Sequence, residues 1–448
     1  MLRRVVRDTV RDHDGAQLLL LAAKGGDHER RRRVSDETNW AGNYRYRARS
    51  IVRASTVEQV QDAVAGAEHI RALGTRHTFN DLVDTAGDLL SIEALPATVD
   101  IDADARTVRA AAGMRYGDVA VQLHENGWAL DNLASLPHIS IAGAIATGTH
   151  GSGMRNGTLA SDVAAIEFVD GTGELVSLRR GDDGFDGAVV NVGALGVATA
   201  VTLDIRPTFE VSQRVFTGLP WERVLAEFDA VAGSAYSVSL FTDWLGDTVA
   251  QAWLKSAVGE DAEREEFFGG RAAAEPMHML PGISPVNCTQ QLGVPGPWHE
   301  RLPHFKLAFT PSNGEEIQSE YLMDRRHAPA AIEALRSLGE LISPVLQISE
   351  IRTMAADDLW LSGASGADTV AFHFTWVRDQ EGVEAVLPTI EHALAPFAAR
   401  PHWGKVFVDR DHVVPSLYPR MADFRALARR YDPRGVFSNA FLERNIFG

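Results

Sequence analysis

The sequence predicts an α+β fold in two domains. Three observations carry this expectation. The 448 residues exceed what one hydrophobic core usually serves. From about residue 48 to 210, short β-branched runs alternate with helical segments. After about residue 211 the texture changes: Trp, His and Pro become denser, as in Pro295-Gly296-Pro297-Trp298-His299, and longer helices follow. We therefore expect a disordered N-terminal extension over 1–37, a first domain over 38–210, a second over 211–408, and a segment, 409–448, that returns to the first.

The first domain reads as follows. Ser50-Ile51-Val52-Arg53-Ala54 is a strand. Ser55 and Thr56 offer caps to a helix through Val57 to Ala65, with Glu58 in its first turn. Gly66 is placed to end it in the left-handed conformation. Strands are expected at His69 to Leu73 and Thr107 to Ala112, and an amphipathic helix near Tyr116 to Gly127. Two runs around Asp170-Gly171-Thr172-Gly173 form a hairpin signal, and Val197 to Ile205 is one more strand. In the second domain His327 to Leu341 reads as one helix. No internal repeat interrupts this pattern.

Charge and cysteine content exclude several classes. Basic residues number 43 against 60 acidic, a net charge of −17, which repels nucleic acid and anionic lipid. The basic run Arg30 to Arg33 reads as a solvated tail. The single cysteine, Cys288, excludes a disulfide framework and a cysteine-rich metal site. Arg3-Arg4 opens the chain as a twin-arginine signal would, but Leu18 to Ala23 is short and acidic residues precede it. A cytoplasmic location is the expectation. No run approaches the roughly 20 apolar residues of a membrane helix.

Two loops stand out. Ala72-Leu73-Gly74-Thr75-Arg76-His77-Thr78 follows a strand and offers backbone N–H groups and hydroxyls to an anion. From Ala142 to Gly153 nearly every side chain is small, so another group can approach the backbone closely. Together they suggest a diphosphate cradle. The three-glycine dinucleotide fingerprint is absent, which disfavours a nicotinamide site.

In the second domain, ionisable residues recur among apolar ones. Glu350-Ile351-Arg352 and His373-Phe374-Thr375 each put two polar groups on one face of a strand, and Pro401 to Phe407 is a third candidate strand. Gln318 lies in a further such run.

At these residues the chain resembles the vanillyl-alcohol-oxidase superfamily, and within it the alditol and xylitol oxidases. Thr38-Asn39-Trp40-Ala41-Gly42-Asn43, the Gly-Thr-Arg-His loop, Ala134-Ser135-Leu136-Pro137-His138, and Trp298-His299-Glu300-Arg301-Leu302-Pro303-His304 carry the likeness, which runs from Thr38 to the C-terminus. The resemblance implies a PCMH-type FAD-binding domain and an α+β substrate, or cap, domain. It implies FAD held by the loop from Ala72 to Thr78 and by Ser135, Ser140, Gly143, Ala146, Thr147, Gly148, Thr149 and the Ala198 backbone, with His402 near the flavin. It implies a covalent bond from His77 to the flavin 8α-methyl carbon. No cysteine lies near residue 138, so the tether is expected to be single.

The likeness further implies a substrate pocket of Ser135, Gln318, Glu350, Arg352, His373, Thr375 and Lys405. The chemistry agrees: a polyol needs several matched donors and acceptors, because each unpaired buried group costs about 1–3 kcal/mol. Arg352 and Lys405 suit a developing alkoxide, Glu350 can grip hydroxyls, and His373 is a candidate base. Ala134 is small, leaving room for dioxygen beside a flavin. The expected reaction takes the terminal primary alcohol of xylitol or sorbitol to the aldose and dioxygen to hydrogen peroxide. The expected partners are the polyol and dioxygen; a monomer is plausible, and the sequence does not fix the oligomeric state. A sugar-lactone oxidase or dehydrogenase is the alternative, since those relatives share the Glu-x-Arg and His-Trp-x-Lys patterns. A zinc hydrolase on Glu350, His373 and His402 lacks a compact ligand motif, and no metal is expected.

Overall fold

The computed structural model describes residues 37–260, 264–309 and 316–448, and the backbone of 31–33. Most of the expected extension lies outside the described residues. Arg31–Arg33 is the exception: it pairs antiparallel with Ser50 to Val52 and is therefore strand, not irregular tail.

The first sheet holds Ser50–Arg53 and Ile70–Leu73 parallel to Asp88–Ser91 between them. The helix Val57–Ala65 makes the crossover, burying Val60 and Val64 four residues apart. Thr56 caps it by accepting from the Gln59 N–H at 3.3 Å. Gly66 ends it, but at φ −86° rather than in the left-handed region. Its N–H still donates to the Asp62 carbonyl, so the last helical bond is kept and the chain leaves right-handed.

A second, antiparallel sheet has the order Val99–Asp102, Thr107–Ala111, Gly196–Asp204, Val163–Asp170, Leu175–Arg179. Its hairpin turns where the Asp170 carboxylate accepts from the N–H groups of Thr172 and Glu174 at 2.8 and 3.1 Å.

The large sheet is antiparallel throughout. Its order runs Glu266–Phe267, Gly270–Ala272, Glu210–Pro220, Thr248–Ala257, Ser237–Thr242, Leu346–Met354, Thr369–Val377, Glu316–Asp324, Arg400–Pro401. Side-chain alternation gives it two unlike faces. Ile317, Tyr321, Ile351, Phe372, Phe374 and Trp376 pack in one apolar cluster with Ala331, Ile332 and Leu335 of the helix Ala328–Arg336 and with Leu387 and Ile390 of Gln380–Leu394. Gln318, Glu320, Glu350, Arg352, His373 and Thr375 face the other way.

Two expectations need correction. The helix from His327 to Leu341 is broken into Ala328–Arg336 and Gly339–Ile342. Ser337 donates to the Ala334 carbonyl at 2.7 Å, a side-chain bond that competes with helix continuation. Pro401 to Phe407 is not a strand beyond Pro401. The Lys405 N–H returns to the His402 carbonyl at 3.1 Å, so Lys405 stands at the end of a tight turn.

A separate core unites the first two sheets with Val414, Tyr418, Phe424, Phe437 and Phe441 of the C-terminal segment. Arg71, 3% exposed, clamps this join. Its two terminal nitrogens donate to the carbonyls of Gly193, Phe437, Leu82 and Val192 at 2.7–2.9 Å. Among the described residues no helix is long and apolar enough to cross a membrane, and no group of His, Cys, Asp and Glu could hold a metal ion.

Candidate active site

A cavity of about 1450 Å³ runs from the first-domain loops to the polar face of the large sheet. Every site residue predicted from the sequence lines it except Gly148. Gly148 has φ +67° and turns the chain between Thr147 and Thr149, which do line the cavity.

At one end, the loop from Gly74 to Thr78 is held by asparagines. Asn39 donates to the Thr78 carbonyl at 2.8 Å and Asn43 to that of Phe79 at 2.9 Å. Asn80 donates to the carbonyls of Trp403 and Lys405, tying this loop to the far end of the cavity. Arg76 sits at φ +66°, an uncommon conformation for a side-chain-bearing residue. It is ion-paired with Glu37.

His77 stacks on Trp40 with ring centroids 5.0 Å apart. Its Nδ1 is buried without a hydrogen-bond partner. Burial, aided by nearby His138, pushes the ring down to about 4, so it is neutral at pH 7.

The cradle fits a bulky, flat, phosphate-bearing group. Ser140 Oγ is buried and without a partner, and so is Thr78 Oγ1. A Cβ on Gly74 would stand 2.8 Å from Ser140 Oγ, and one on Gly143 3.0 Å away. Neither glycine has room for a side chain, so the two loops meet backbone-close at Ser140. Ala134 lies on the wall beside Ser135.

The opposite end is built from paired charges. Glu320, 1% exposed, is its centre. Its Oε2 accepts from Lys405 Nζ at 2.7 Å and its Oε1 from Arg352 Nη2 at 2.8 Å. His150 Nε2 lies 3.3 Å from Oε1. Burial alone would raise this carboxyl, but Lys405, His150 and Arg352 hold it well below its ordinary value. Glu350 behaves likewise: burial is overcome by Arg352 and by His304, which meets Glu350 Oε1 at 2.7 Å. Burial lowers Lys405, with Glu320 opposing. His373 is pushed well below 6.5 by burial and then by Lys405.

Its hydrogen bonds fix its tautomer. Lys405 Nζ meets His373 Nδ1 at 2.7 Å, and His373 Nε2 meets Thr375 Oγ1 at 3.1 Å. An ammonium only donates, so Nδ1 accepts and Nε2 carries the proton. Arg352 Nη1 reaches Ser135 Oγ at 3.3 Å, joining the two domains across the site. His402 Nδ1 accepts from the Gly404 N–H, and Nε2 lies 3.4 Å from Thr149 Oγ1.

The sequence reading passed over Glu320, His150, His304 and Lys255. Glu320 carried a signal, standing two residues after Gln318 on the same strand face. His304 ends a motif already singled out. Lys255 offered only a lone cation inside an apolar strand.

Two family models match parts of the chain. Residues 48–179 match the family described as FAD binding domain, and residues 309–445 the one described as D-arabinono-1,4-lactone oxidase. An alditol oxidase from Streptomyces sp. is 50% identical over 414 residues, covering 92% of this chain and 99% of the relative. The chain belongs to the alditol oxidase family. It is an FAD-dependent oxidoreductase with a PCMH-type FAD-binding domain. An L-gulono-1,4-lactone dehydrogenase from Mycobacterium tuberculosis stands further off, at 28% identity over 91% of this chain and 98% of its own. A solved cholesterol oxidase from Brevibacterium sterolicum shares the fold, with TM-score 0.75 at 15% identity over 92% of this chain and 96% of that one.

Proposed function

We propose that this protein oxidises the terminal primary alcohol of a polyol such as xylitol or sorbitol to the aldose, passing the electrons to dioxygen and releasing hydrogen peroxide. One observation carries the reading: the cavity's far wall sets two cations, Lys405 and Arg352, against two carboxylates, Glu320 and Glu350. A balanced wall of this kind offers many donors and acceptors without net charge, which suits a neutral, hydroxyl-rich substrate. FAD, held by the residues of the first-domain loops and tethered once through His77, supplies a two-electron acceptor. A neutral His77 ring that lines the cavity and has one nitrogen without a hydrogen-bond partner supports that tether.

The chain's own residues do the rest. Glu350, Gln318, Thr375 and Ser135 bind hydroxyls and fix which carbon is presented. Lys405 and Arg352 stabilise negative charge as the reacting oxygen loses its proton. His373 takes that proton on Nδ1 as Lys405 Nζ turns from Nδ1 toward the developing alkoxide, so one bond to Nδ1 is exchanged for another. Ala134 leaves a small gap on the wall for dioxygen.

The test is direct. Purified holoprotein is mixed with xylitol, sorbitol, glycerol and a panel of sugar lactones, with dioxygen or an artificial acceptor. Oxygen consumption with peroxide release on polyols is the expected result. Turnover confined to lactones would replace the substrate assignment. Yellow colour should stay with the chain after acid precipitation and be lost in His77→Ala; colour retained in that variant would remove His77 from the tether.

A further inference from the structure

From the core strand behind the charged wall a second polar chain reaches the cavity lining at His304, and the proposed reaction does not use it directly. Lys255, 1% exposed, stands in the strand Thr248–Ala257. Its Nζ donates to the carbonyls of Leu302 and Pro303 and to His304 Nδ1, the last two at 2.9 and 3.1 Å. Those three acceptors use all three ammonium hydrogens. They are the end of the stretch Trp298 to His304. Buried Trp298 anchors that stretch, and Leu302 N–H bonds back to its carbonyl at 2.8 Å. Thr289 Oγ1 also donates to the Pro303 carbonyl, at 2.8 Å.

His304 is 5% exposed and meets Phe241 and Trp253 edge-on, at 5.7 and 5.2 Å between centroids. The rings leave it little freedom to rotate. Since the Lys255 ammonium can only donate, His304 Nδ1 carries the lone pair and Nε2 carries the proton. Nε2 faces Glu350 Oε1 at 2.7 Å, leaving Oε2 on the side of Arg352 Nε, 3.7 Å away.

We propose that Lys255 and His304 form a positioning relay: the Lys255 charge fixes the His304 tautomer, and His304 then holds Glu350 ionised with one oxygen aimed at a substrate hydroxyl. Neither residue touches the reacting atoms. The proposal rests on the reading of Glu350 as a hydroxyl-binding group. Burial pushes Lys255 down to about 7 and His304 to about 4. The ionisable groups facing Lys255 are His304, Glu350, Arg352 and Cys288. Of the relay's members, then, it is Lys255 that changes charge near neutral pH. Loss of its proton frees His304 to take the other tautomer, and the grip on Glu350 weakens as pH rises through about 7.

Nitrogen-15 histidine spectra of the holoenzyme, with the His304 signal assigned by its loss in His304→Gln, read the tautomer whatever the substrate proves to be. The expected wild-type form bears the proton on Nε2, and Lys255→Met shifts the population toward Nδ1. A wild-type signal with the proton on Nδ1, or one unmoved by Lys255→Met, overturns the relay.

Kinetics on the best wild-type substrate give a second reading. His304→Leu should raise KM on the order of tenfold to a hundredfold, with a much smaller change in kcat. His304→Gln, whose amide can accept from Lys255 and donate to Glu350, should stay within a few-fold of wild type. The rise in KM above pH 7 should vanish in Lys255→Met. In a Glu350→Gln background, His304→Leu should add little, because the partner charge is gone. If His304→Leu does not fold, His304→Gln decides: a KM raised tenfold there overturns the proposal, and near-wild-type KM supports it. Wild-type turnover of lactones alone would displace the polyol reading and leave the tautomer result standing.

Discussion

The two ends of the cavity are built on opposite principles. The cradle around Gly74, Ser140 and Gly143 is nearly bare: it works by leaving side chains out, and its unsatisfied atoms wait for a ligand. The wall around Glu320 is crowded with charge, and its principal charged atoms are engaged within the protein. A bare backbone can accept a cofactor once and keep it. A wall of paired charges can release product, because the protein completes its own pairing when the ligand leaves. The difference teaches that the cradle is sensitive to added atoms and the wall to removed ones.

The largest break should come at the wall. Lys405→Met leaves buried Glu320 with Arg352 and His150 but without its lysine, and it removes a donor to the developing alkoxide. We expect kcat to fall on the order of 10²–10³-fold and stability to drop by about 3–5 kcal/mol. Stopped-flow reduction and thermal melting measure the two. A variant with wild-type kcat would remove Lys405 from the chemistry.

Acid should separate the ends next. In the flavin-free chain His77 and His304 have folded values of about 4 against an ordinary 6.5. Between those limits the unfolded chain binds more protons than the folded one, so stability falls as pH drops from 6.5 toward 4. The expected loss is on the order of several kcal/mol. Glu350 and Glu320, held low, add their own loss only below about pH 4.5, where the unfolded carboxyls begin to protonate. A melting temperature flat from pH 7 to 4 would contradict the burial of these rings.

Adding one methyl to the cradle is the converse experiment. Gly74→Ala forces a contact with Ser140 Oγ, and we expect a cost of about 1–3 kcal/mol and a lower flavin-to-protein absorbance ratio. Pairing it with Ser140→Ala should recover part of the flavin content; no recovery would place the clash elsewhere. The smallest effect serves as the control. Arg109 and Glu167 form a bidentate pair across the strand Gly196–Asp204 that separates theirs, partly open to water. Arg109→Ala should cost no more than about 1 kcal/mol and leave turnover unchanged.

The same contrast explains what could be read from the sequence. The cradle was legible because its requirements are local: a glycine, two hydroxyls and a histidine must follow one strand. The helix Val57–Ala65 was legible for the same reason, its cap and its buried valines lying within nine residues of each other. The wall was legible only by halves. Alternation on Leu346–Met354 and Thr369–Val377 announced Glu350, Arg352, His373 and Thr375. It could not announce that Lys405 pairs with Glu320, a residue 85 positions away that the sequence reading left unassigned. Lys405 was expected on a strand because Val406 and Phe407 are apolar and β-prone. A turn bonded through His402 overrides that local preference. Gly66 shows the limit of residue type as a guide, since glycine permits the left-handed region without requiring it.

The Arg71 clamp carries a consequence for how the protein folds. The strand that leads into the His77 loop is bonded at Ile70 to the Val436 carbonyl, and Arg71 reaches Phe437. Asn439 closes the same corner by donating to the carbonyls of Asp81, Leu82 and Asp84. Phe437 lies 366 residues along the chain from Arg71. The pocket's first wall is therefore closed by contacts of very high sequence separation, so a cradle fit for the flavin requires its opening strand and this distant segment to be folded together.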